Sequence, residues 1–387
     1  METNSEPPVG GQAVRVGIDA RLLTGAYTGD RTYWRGLLTA LREIVNVDAH
    51  QLVLFSTRPI PEGMLPESPL YEPVVAPARS ERLWSLFTLP KLAREHRCDL
   101  VHTQYTVSPY FTVPTVTTVH DISFLIEPRW FPLKDRILLR WTVPTSCRRA
   151  RRVLTVSETS REDIIAYLGL PPEKVVATPN GLPEGFYPIP KAEAQAWVRE
   201  KYALEPPFAL AVGVLQPRKN WQLAIEAVHL ARTRYLVPLT LVLTGKVGWA
   251  RRSLDRARQM WASDNGWLIE MGSVPDSHLV WLYNAAAVFL YPSFYEGFGL
   301  PPLEAMACGT PVIVSNGGAL PEVVGSGGIV LPPNEAGMWA NAIHTVLTND
   351  SYRNALKQRA LAQAKRFSWH TTAEHTWHAY QQAANCG

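Results

Sequence analysis

Two glutamates with a spacing that suits ligand binding stand in the segment from Tyr291 to Pro311. Glu296 and Glu304 are separated by seven residues, and Pro301 and Pro302 favour a helix start between them. The free N–H groups at that helix N-terminus would attract an anion, and carboxylates accept hydrogen bonds from vicinal hydroxyls of ribose or a sugar. The alternative is structural, with Glu304 stabilising its own helix by charge and Glu296 solvated.

A basic pair, Arg218 and Lys219, follows a predicted strand and precedes a predicted helix near Trp221. At such a strand-to-helix turn the arginine can bind a diphosphate as a fork, while the lysine acts as a point charge. Taken alone, the pair is equally compatible with an exposed basic turn.

Two further strand ends carry polar residues. The strand before His120 and Asp121 ends on that histidine, which could hydrogen-bond a substrate hydroxyl or serve only a structural role. The glycine-containing loop from Arg21 to Tyr33 stands where α/β domains bind phosphates, although it does not match G-x-G-x-x-G. The sequence also lacks HExxH, C-x-x-C and GxSxG motifs, so we expect neither a metal site nor a serine nucleophile.

The elements that must position these residues follow an alternating pattern. Short β-branched runs alternate with longer amphipathic segments, which is typical of βαβ units around a parallel sheet. Prolines crowd the stretch from Pro179 to Pro207, after which the same alternation restarts with a strand over Phe208 to Val212. The sequence therefore predicts two doubly wound α/β domains, whose ligands bind at the carboxyl ends of the strands.

The amino-acid composition indicates a globular protein and gives no support for nucleic-acid binding. The 387 residues are 46% apolar and 19% charged, as in globular proteins, and the net charge of +4 is too small to favour nucleic-acid binding. The four cysteines are scattered, which favours reduced thiols. The polar N-terminus lacks a signal-peptide pattern, and no run approaches the ~20 apolar residues of a membrane span. We expect a cytoplasmic protein.

Together these segments resemble the retaining glycosyltransferases of family 4, which have the GT-B architecture of two Rossmann-like domains facing across a cleft. The stretch E-G-F-G-L-P-P-L-E-A-M-A-C-G-T-P-V-I from Glu296 is the hallmark of that family. The segments G-I-D-A-R from Gly17 and T-V-H-D-I-S-F-L-I-E-P-R-W-F from Thr118 are most similar to a mannosyltransferase-like branch that builds bacterial surface polysaccharides. The implied domains are a disordered tail over 1–13, an N-terminal acceptor-side domain over 14–185, a C-terminal donor-side domain over 186–366, and a helix over 367–387 that packs back on the N-terminal domain.

The resemblance implies a role for each site residue. The diphosphate of a nucleotide sugar would lie on Arg218 and Lys219, its ribose on Glu304, and its sugar on Glu296. His120 would reach the sugar across the cleft. The implied catalytic set is His120, Glu296, Arg218 and Lys219, and the implied donor-binding set is Arg218, Lys219, Val274, Glu296, Gly297, Phe298, Gly299, Leu300 and Glu304, with Val274 beside the nucleobase.

One loop departs from the family pattern. Relatives usually have two glycines one residue apart in the first loop, whereas here Gly29 is followed by Asp30 and Arg31. This acceptor or phosphate loop could gain a charged contact through Arg31, or the change could mark altered activity.

The implied function is transfer of a hexose, with mannose as a candidate, from a GDP- or UDP-linked sugar to a saccharide or lipid-linked acceptor, without a metal or other cofactor. The acceptor hydroxyl would attack on the same face that the diphosphate leaves, and the departing phosphate would take its proton. The alternatives are a sugar-nucleotide epimerase or phosphorylase on the same fold, and a nucleotide-sugar-binding module without turnover.

A strongly basic stretch from Lys134 to Arg152 has seven basic residues and one acidic residue. Apolar residues, among them Ile137 and Trp141, lie between the charges, so a helix here could contact an anionic membrane or a lipid diphosphate. Alternatively, the apolar side chains face the core of the first domain and the arginines complement a helix C-terminus.

Overall fold

The computed structural model describes residues 13–25, 29–246, 248–262 and 266–385. The chain divides into two compact units. The first comprises Met1–Thr118, Thr142–Leu154 and Ala373–Gly387, and the second comprises Val119–Trp141 and Thr155–Thr372. The predicted disordered tail over 1–13 lies, apart from residue 13, outside the described residues.

The first sheet has the strand order β3-β2-β1-β4-β5-β6-β7. Strand β1 pairs in parallel with β2 and β4, and β4 pairs in parallel with β5. The strands are β1 Arg15–Asp19, β2 Gln51–Ser56, β3 Tyr71–Val75, β4 Leu100–Gln104, β5 Thr115–Thr118, β6 Arg152–Thr155 and β7 Val175–Ala177.

The second sheet has the order β10-β9-β8-β11-β12-β13, and its pairings are parallel. The strand order reverses between β8 and β11, so the loops that follow these two strands diverge over a crevice at their carboxyl ends. All five residues of β8 are buried, as expected for a strand covered on both faces. The strands are β8 Phe208–Val212, β9 Thr240–Thr244, β10 Leu268–Gly272, β11 Val288–Tyr291, β12 Val312–Ser315 and β13 Ile329–Leu331.

Helices connect the strands of both sheets. Helix α2 continues through a π-helical turn, Trp84–Thr88, into α3. In the described residues the helices are α1 Gly29–Ile44, α2 Glu81–Leu83, α3 Leu89–Glu95, α4 Ser123–Ile126, α5 Leu133–Arg149, α6 Glu158–Leu168, α7 Lys191–Tyr202, α8 Trp221–Arg234, α9 Arg251–Trp261, α10 Asp276–Ala285, α11 Leu300–Ala307, α12 Leu320–Val324, α13 Ala336–Thr348, α14 Asp350–Ala364 and α15 Trp369–Asn385.

The two doubly wound parallel sheets confirm the predicted fold class. Strand β8 has the predicted bounds, Phe208–Val212. Strand β3 was not predicted, because it lies at the sheet edge and contains Pro73, which weakens its strand pattern. Helix α1 begins at Gly29, so the predicted loop residues Gly29, Asp30 and Arg31 form its first turn, where Asp30 complements the positive end of the helix.

Helix α5 contains most of the basic stretch and continues through Pro144. Its apolar side chains differ in exposure: Val143 is fully buried, whereas Leu133, Ile137 and Trp141 are 68%, 53% and 73% exposed. The alternative that the apolar side chains of the basic stretch face a core is therefore wrong for Ile137 and Trp141. None of the described helices is long and apolar enough to cross a membrane.

Candidate functional site

The loop after β8 holds Arg218 and Lys219 at the carboxyl edge of the second sheet. Gly213 adopts a φ of +147°, and a Cβ at this position would lie 3.4 Å from Cε of Lys219. Pro217–Lys219 form a 3-10 turn, which ends at Asn220 with a φ of +52°. Asparagine adopts this left-handed region more readily than most residues.

The loop after β11 brings Glu296 to the two cations. Nη1 of Arg218 donates to Oε2 of Glu296 at 2.9 Å, and Nζ of Lys219 donates to Oε1 at 2.8 Å. Arg218 also donates to the carbonyl of Tyr295 at 2.6 Å, and Lys219 donates to the hydroxyl of Tyr291. The structure therefore brings three predicted site residues together, with one carboxylate bound by both cations.

Burial and charge act in opposite directions on this cluster. Burial favours a raised pKa for Glu296, but the charges of Arg218 and Lys219 outweigh it and lower the pKa to about 2. Burial also lowers the pKa of Lys219, against the attraction of Glu296. For Arg218, burial is outweighed by Glu296 and Asp121, which raise its pKa. Glu296 is therefore ionised across the neutral pH range.

Asp121 adds a second negative charge to the cluster. Its Oδ2 lies 3.8 Å from Nη1 of Arg218, and its Oδ1 accepts hydrogen bonds from the backbone N–H and the hydroxyl of Ser123 at 2.8 and 2.5 Å. Two cations and two carboxylates give Arg218, Lys219, Glu296 and Asp121 a formal charge of zero.

Gly297 packs against the segment that contains His120. A Cβ on Gly297 would lie 2.4 Å from the backbone carbonyl oxygen of His120 and 2.8 Å from Cβ of Asp121. Any larger residue would push these two backbone segments apart. The predicted catalytic residue His120 therefore lies in the same unit as Glu296, and its backbone packs against Gly297.

Helix α11 places Glu304 one turn beyond its start. Gly299 precedes the helix with a φ of +117°, and Pro301 and Pro302 occupy its first turn, as the sequence predicts. Oε2 of Glu304 accepts a hydrogen bond from the hydroxyl of Tyr283 on α10 at 2.8 Å. Burial, only partly offset by that bond, raises the pKa of Glu304 to about 7.

The remaining predicted donor residues surround the start of α11 or lie on the neighbouring loop. Phe298 is buried, with its ring edge-on to Phe367, and Leu300 is the partly buried first residue of the helix. Val274 is partly buried in the loop between β10 and α10, the helix that carries Tyr283. The predicted roles of these residues remain predictions.

The predicted acceptor or phosphate loop lies in the first unit. Nη1 of Arg31 donates to the carbonyl of Gly25 at 3.3 Å, and Nη2 lies 3.6 Å from Sδ of Met64. These contacts hold the guanidinium against its own unit. A charged contact between Arg31 and a substrate remains a prediction.

Two serines that were not predicted, Ser157 and Ser160, bind the backbone of the loop that contains Glu296. The hydroxyls of Ser157 and Ser160 donate to the carbonyl of Gly297 at 2.7 and 3.2 Å, and the Ser157 hydroxyl also accepts the backbone N–H of Ser160 as the N-cap of α6. A serine between a strand and a helix signals such a cap. It does not reveal that the same hydroxyl also donates to the carbonyl of Gly297, which is distant in the sequence.

The described parts of the chain contain no group of three or more histidine, cysteine, aspartate or glutamate side chains placed to hold a metal ion. The expectation of metal-independent chemistry therefore remains to be tested with the enzyme.

Comparison with known proteins identifies the family. A family model described as Glycosyltransferase Family 4 matches residues 29–184, and one described as Glycosyl transferases group 1 matches residues 194–363. O-antigen chain mannosyltransferase B of Escherichia coli is 38% identical over 290 residues, which are 74% of this chain and 75% of that protein. The chain belongs to glycosyltransferase family 4. This membership supports the transferase function over the epimerase, phosphorylase and binding-module alternatives.

Two further matches extend the comparison. The serotype-specific mannosyltransferase WbdA of Escherichia coli is 32% identical over 276 residues, which are 70% of this chain but only 34% of that longer protein. The structure of Anabaena HepE in complex with UDP-glucose has a TM-score of 0.70 with 20% identity, and the match covers 95% of this chain and 99% of that one. The second match shows a shared fold, the GT-B architecture of this glycosyltransferase.

Proposed function

We propose that this glycosyltransferase moves a hexose, with mannose as the candidate, from a GDP- or UDP-linked sugar to a saccharide or lipid-linked acceptor and retains the anomeric configuration. The observation that carries the proposal is the buried cluster of Arg218, Lys219 and Glu296, of which Glu296 stands four residues before the start of α11. The similarity to O-antigen chain mannosyltransferase B supports mannose and a saccharide acceptor.

The cluster can stabilise a leaving diphosphate only if its partners change. In the structure both cations bind Glu296, so phosphate oxygens would replace that carboxylate as their acceptors. Arg218 has a further donor for this exchange, because its buried Nε has no acceptor among the described residues. The displaced Glu296 would then accept hydrogen bonds from hydroxyls of the donor sugar.

The transfer step forms the bond from the acceptor oxygen to the anomeric carbon and breaks the bond from that carbon to the diphosphate oxygen. The acceptor proton passes to the departing phosphate on the same face. Arg218, Lys219 and the N–H groups of α11 stabilise the negative charge that develops there, which is the main contribution of the protein.

A panel of nucleotide sugars tests the proposal. The purified chain is incubated with GDP-mannose, UDP-glucose and related donors, and nucleotide release is measured with and without a mannose oligosaccharide. Release that depends on the acceptor, with an α-linked product by NMR from an α-linked donor, supports retaining transfer. An isomerised donor, an inverted product or tight binding without product would overturn it.

We also propose that helix α5 contacts an anionic membrane at the cytoplasmic face. Leu133, Ile137 and Trp141 are spaced by four residues, so they share one face of the helix, and all three are more than half exposed. Lys134, Arg136 and Arg140 flank that face in the sequence. An apolar ridge between cations matches the interface of an anionic bilayer.

Vesicle co-sedimentation tests this contact. Binding to anionic vesicles should exceed binding to neutral ones and weaken as salt rises, since Debye screening shortens to ~3 Å at 1 M. Trp141→Ser should reduce binding, whereas Met338→Ser, at an exposed position of α13, should not. Negligible sedimentation with both vesicle types at low salt would contradict the proposal.

A further inference from the structure

An aromatic pocket lies next to the loop after β8, which carries Arg218 and Lys219 in the second unit. Its volume is about 200 Å³, and three rings line it: Trp130, Trp221 and Phe294. Gln216, Gln222 and Ser253, whose side chains can form hydrogen bonds, also line it. None of the residues that line the pocket is charged.

Contacts hold two of these rings in a defined arrangement. The ring of Trp130 stacks on Phe294 with an interplanar angle of 10° and a centroid distance of 6.0 Å. The indole N–H of Trp249 donates to the carbonyl of Trp130 at 2.7 Å, which fixes the backbone beneath that ring. The aromatic surface is therefore assembled before any ligand binds.

Trp221 has a buried indole nitrogen, Nε1, without a hydrogen-bond partner among the described residues. This side chain is 4% exposed. A buried indole N–H usually finds a partner, and leaving one unpaired is costly. Lining a pocket, Trp221 can gain an acceptor through a small shift when a ligand with hydroxyl oxygens binds.

The pocket adjoins the charged cluster through the chain itself. Pro217 and Asn220, which line the pocket, stand directly before and after Arg218 and Lys219. The backbone N–H of Phe294 donates to the carbonyl of Arg218 at 2.8 Å, and Phe294 precedes Glu296 by two residues. A ligand in this pocket would therefore lie close to the cations proposed to bind the leaving diphosphate.

We propose that this pocket binds one hexose ring of the saccharide acceptor. A sugar presents an apolar face of C–H groups, which suits aromatic rings, and a rim of hydroxyls, which suits amide and indole groups. The volume is smaller than the ~300–1,000 Å³ of pockets for drug-sized ligands, which agrees with a single ring. The inference rests on the proposed function and specifies where its acceptor binds.

The uncharged wall argues against the diphosphate as the occupant. A nucleobase could also stack on these rings, but Val274, the residue that the family resemblance places beside the base, does not line this pocket. Nucleotide affinity therefore separates the two occupants in the experiment.

The test compares Trp130→Ala with two other variants. For a mannose oligosaccharide, the acceptor KM of Trp130→Ala should rise about tenfold, which corresponds to 1.4 kcal/mol of binding. The donor KM and the nucleotide release without acceptor should stay within about twofold of the wild type. Trp130→Phe keeps a ring and should restore most of the acceptor affinity, while Tyr167→Ala, at a 55% exposed position of α6, should leave it unchanged.

Direct binding keeps the test independent of turnover. Titration calorimetry with an α-linked mannose trisaccharide should show weaker binding to Trp130→Ala, and titration with GDP or UDP should show no change. An unchanged acceptor KM or trisaccharide affinity in a folded Trp130→Ala would overturn the subsite. Weakened nucleotide binding would overturn it in favour of a base site. If the wild type turns over no donor, the proposed function fails, and the trisaccharide titration still decides the pocket.

Discussion

Glu296 and Glu304 stand on either side of the same turn with seven residues between them, and each is 6% exposed, but their surroundings differ. Glu296 contacts two cations, whereas Glu304 contacts the neutral hydroxyl of Tyr283. The pKa of the first is lowered to about 2 and that of the second is raised to about 7. Equal burial therefore produces opposite protonation behaviour, because only one carboxylate has compensating charge.

The difference suggests distinct tasks for the two carboxylates. Glu296 is ionised at neutral pH and forms ion pairs with both buried cations before a substrate arrives. Burial disfavours the charged form of Glu304, and only the hydrogen bond from Tyr283 offsets this. Further hydroxyl groups that donate to Glu304, such as those of a ribose, would stabilise its charged form. Each task predicts a different response to substitution.

The largest expected effect is on turnover. Lys219→Ala and Glu304→Ala should each lower turnover by about 10²-fold or more, the scale observed when a preorganised transition-state contact is lost. Lys201→Ala, which removes an exposed lysine of α7, is the matched control and should keep the wild-type rate. Near wild-type rates in folded Lys219→Ala and Glu304→Ala would show that the donor assignment is wrong.

The second largest expected effect is on stability, where substitution of the two glutamates should have different effects on the free energy of unfolding. Glu296→Gln leaves Arg218 and Lys219 buried without their carboxylate, so the free energy of unfolding should fall by roughly 3–5 kcal/mol. Glu304→Gln keeps the shape of the side chain and removes a poorly compensated charge, so stability at pH 8 should be unchanged or higher. Urea unfolding at pH 8 measures both, and equal losses would refute the contrast.

The pH dependence sharpens the comparison further. The pKa of Glu304 is raised from 4.5 to about 7, so the folded state keeps a proton that the unfolded state has released. Its contribution to stability should therefore fall as pH rises from 4.5 to 7, with a slope of at most about 1.4 kcal/mol per pH unit. Glu296 acts oppositely, because its lowered pKa gives stability that is lost as pH falls below 4.5 towards 2.

Unfolding curves of the wild type and Glu304→Gln between pH 4.5 and 8 check this prediction. Subtracting one from the other should leave the slope that belongs to Glu304. Parallel curves across the whole range would show that the Glu304 carboxylate titrates normally in the folded protein.

The smallest expected effect is that of chelation. Arg218 and Lys219 can balance the charge of a diphosphate once Glu296 is displaced, so turnover should survive EDTA. Loss of activity in EDTA, restored by Mg²⁺ or Mn²⁺, would mean that the two cations are insufficient.

The sequence singled out Arg218, Lys219 and Glu296 as candidate site residues but did not predict the hydrogen bonds between them. The E-x7-E stretch and the Arg218–Lys219 turn are local patterns, readable from neighbouring residues. The bonds from these cations to Glu296 span 77 and 78 positions, and they form because β8 and β11 lie side by side at the reversal of strand order. No local pattern encodes that adjacency.

The aromatic pocket was missed for the same reason. Trp130, Trp221 and Phe294 come from three separate segments and differ in exposure, and no one of them alone indicates a pocket. Sequence patterns also failed at the exposed face of α5, where spacing could not decide whether Ile137 and Trp141 point to a core or to solvent. Exposure depends on which elements pack against a helix, which only the folded chain determines.

The zero formal charge of the cluster formed by Arg218, Lys219, Glu296 and Asp121 has a kinetic consequence. A neutral cluster produces little long-range field, so it does little to accelerate the approach of an anionic nucleotide sugar. Its attraction develops only at contact, when phosphate oxygens replace Glu296. The cluster itself should therefore add little to the ionic-strength dependence of the donor's association rate, and its selectivity for the diphosphate should be expressed mainly in how slowly the bound donor leaves.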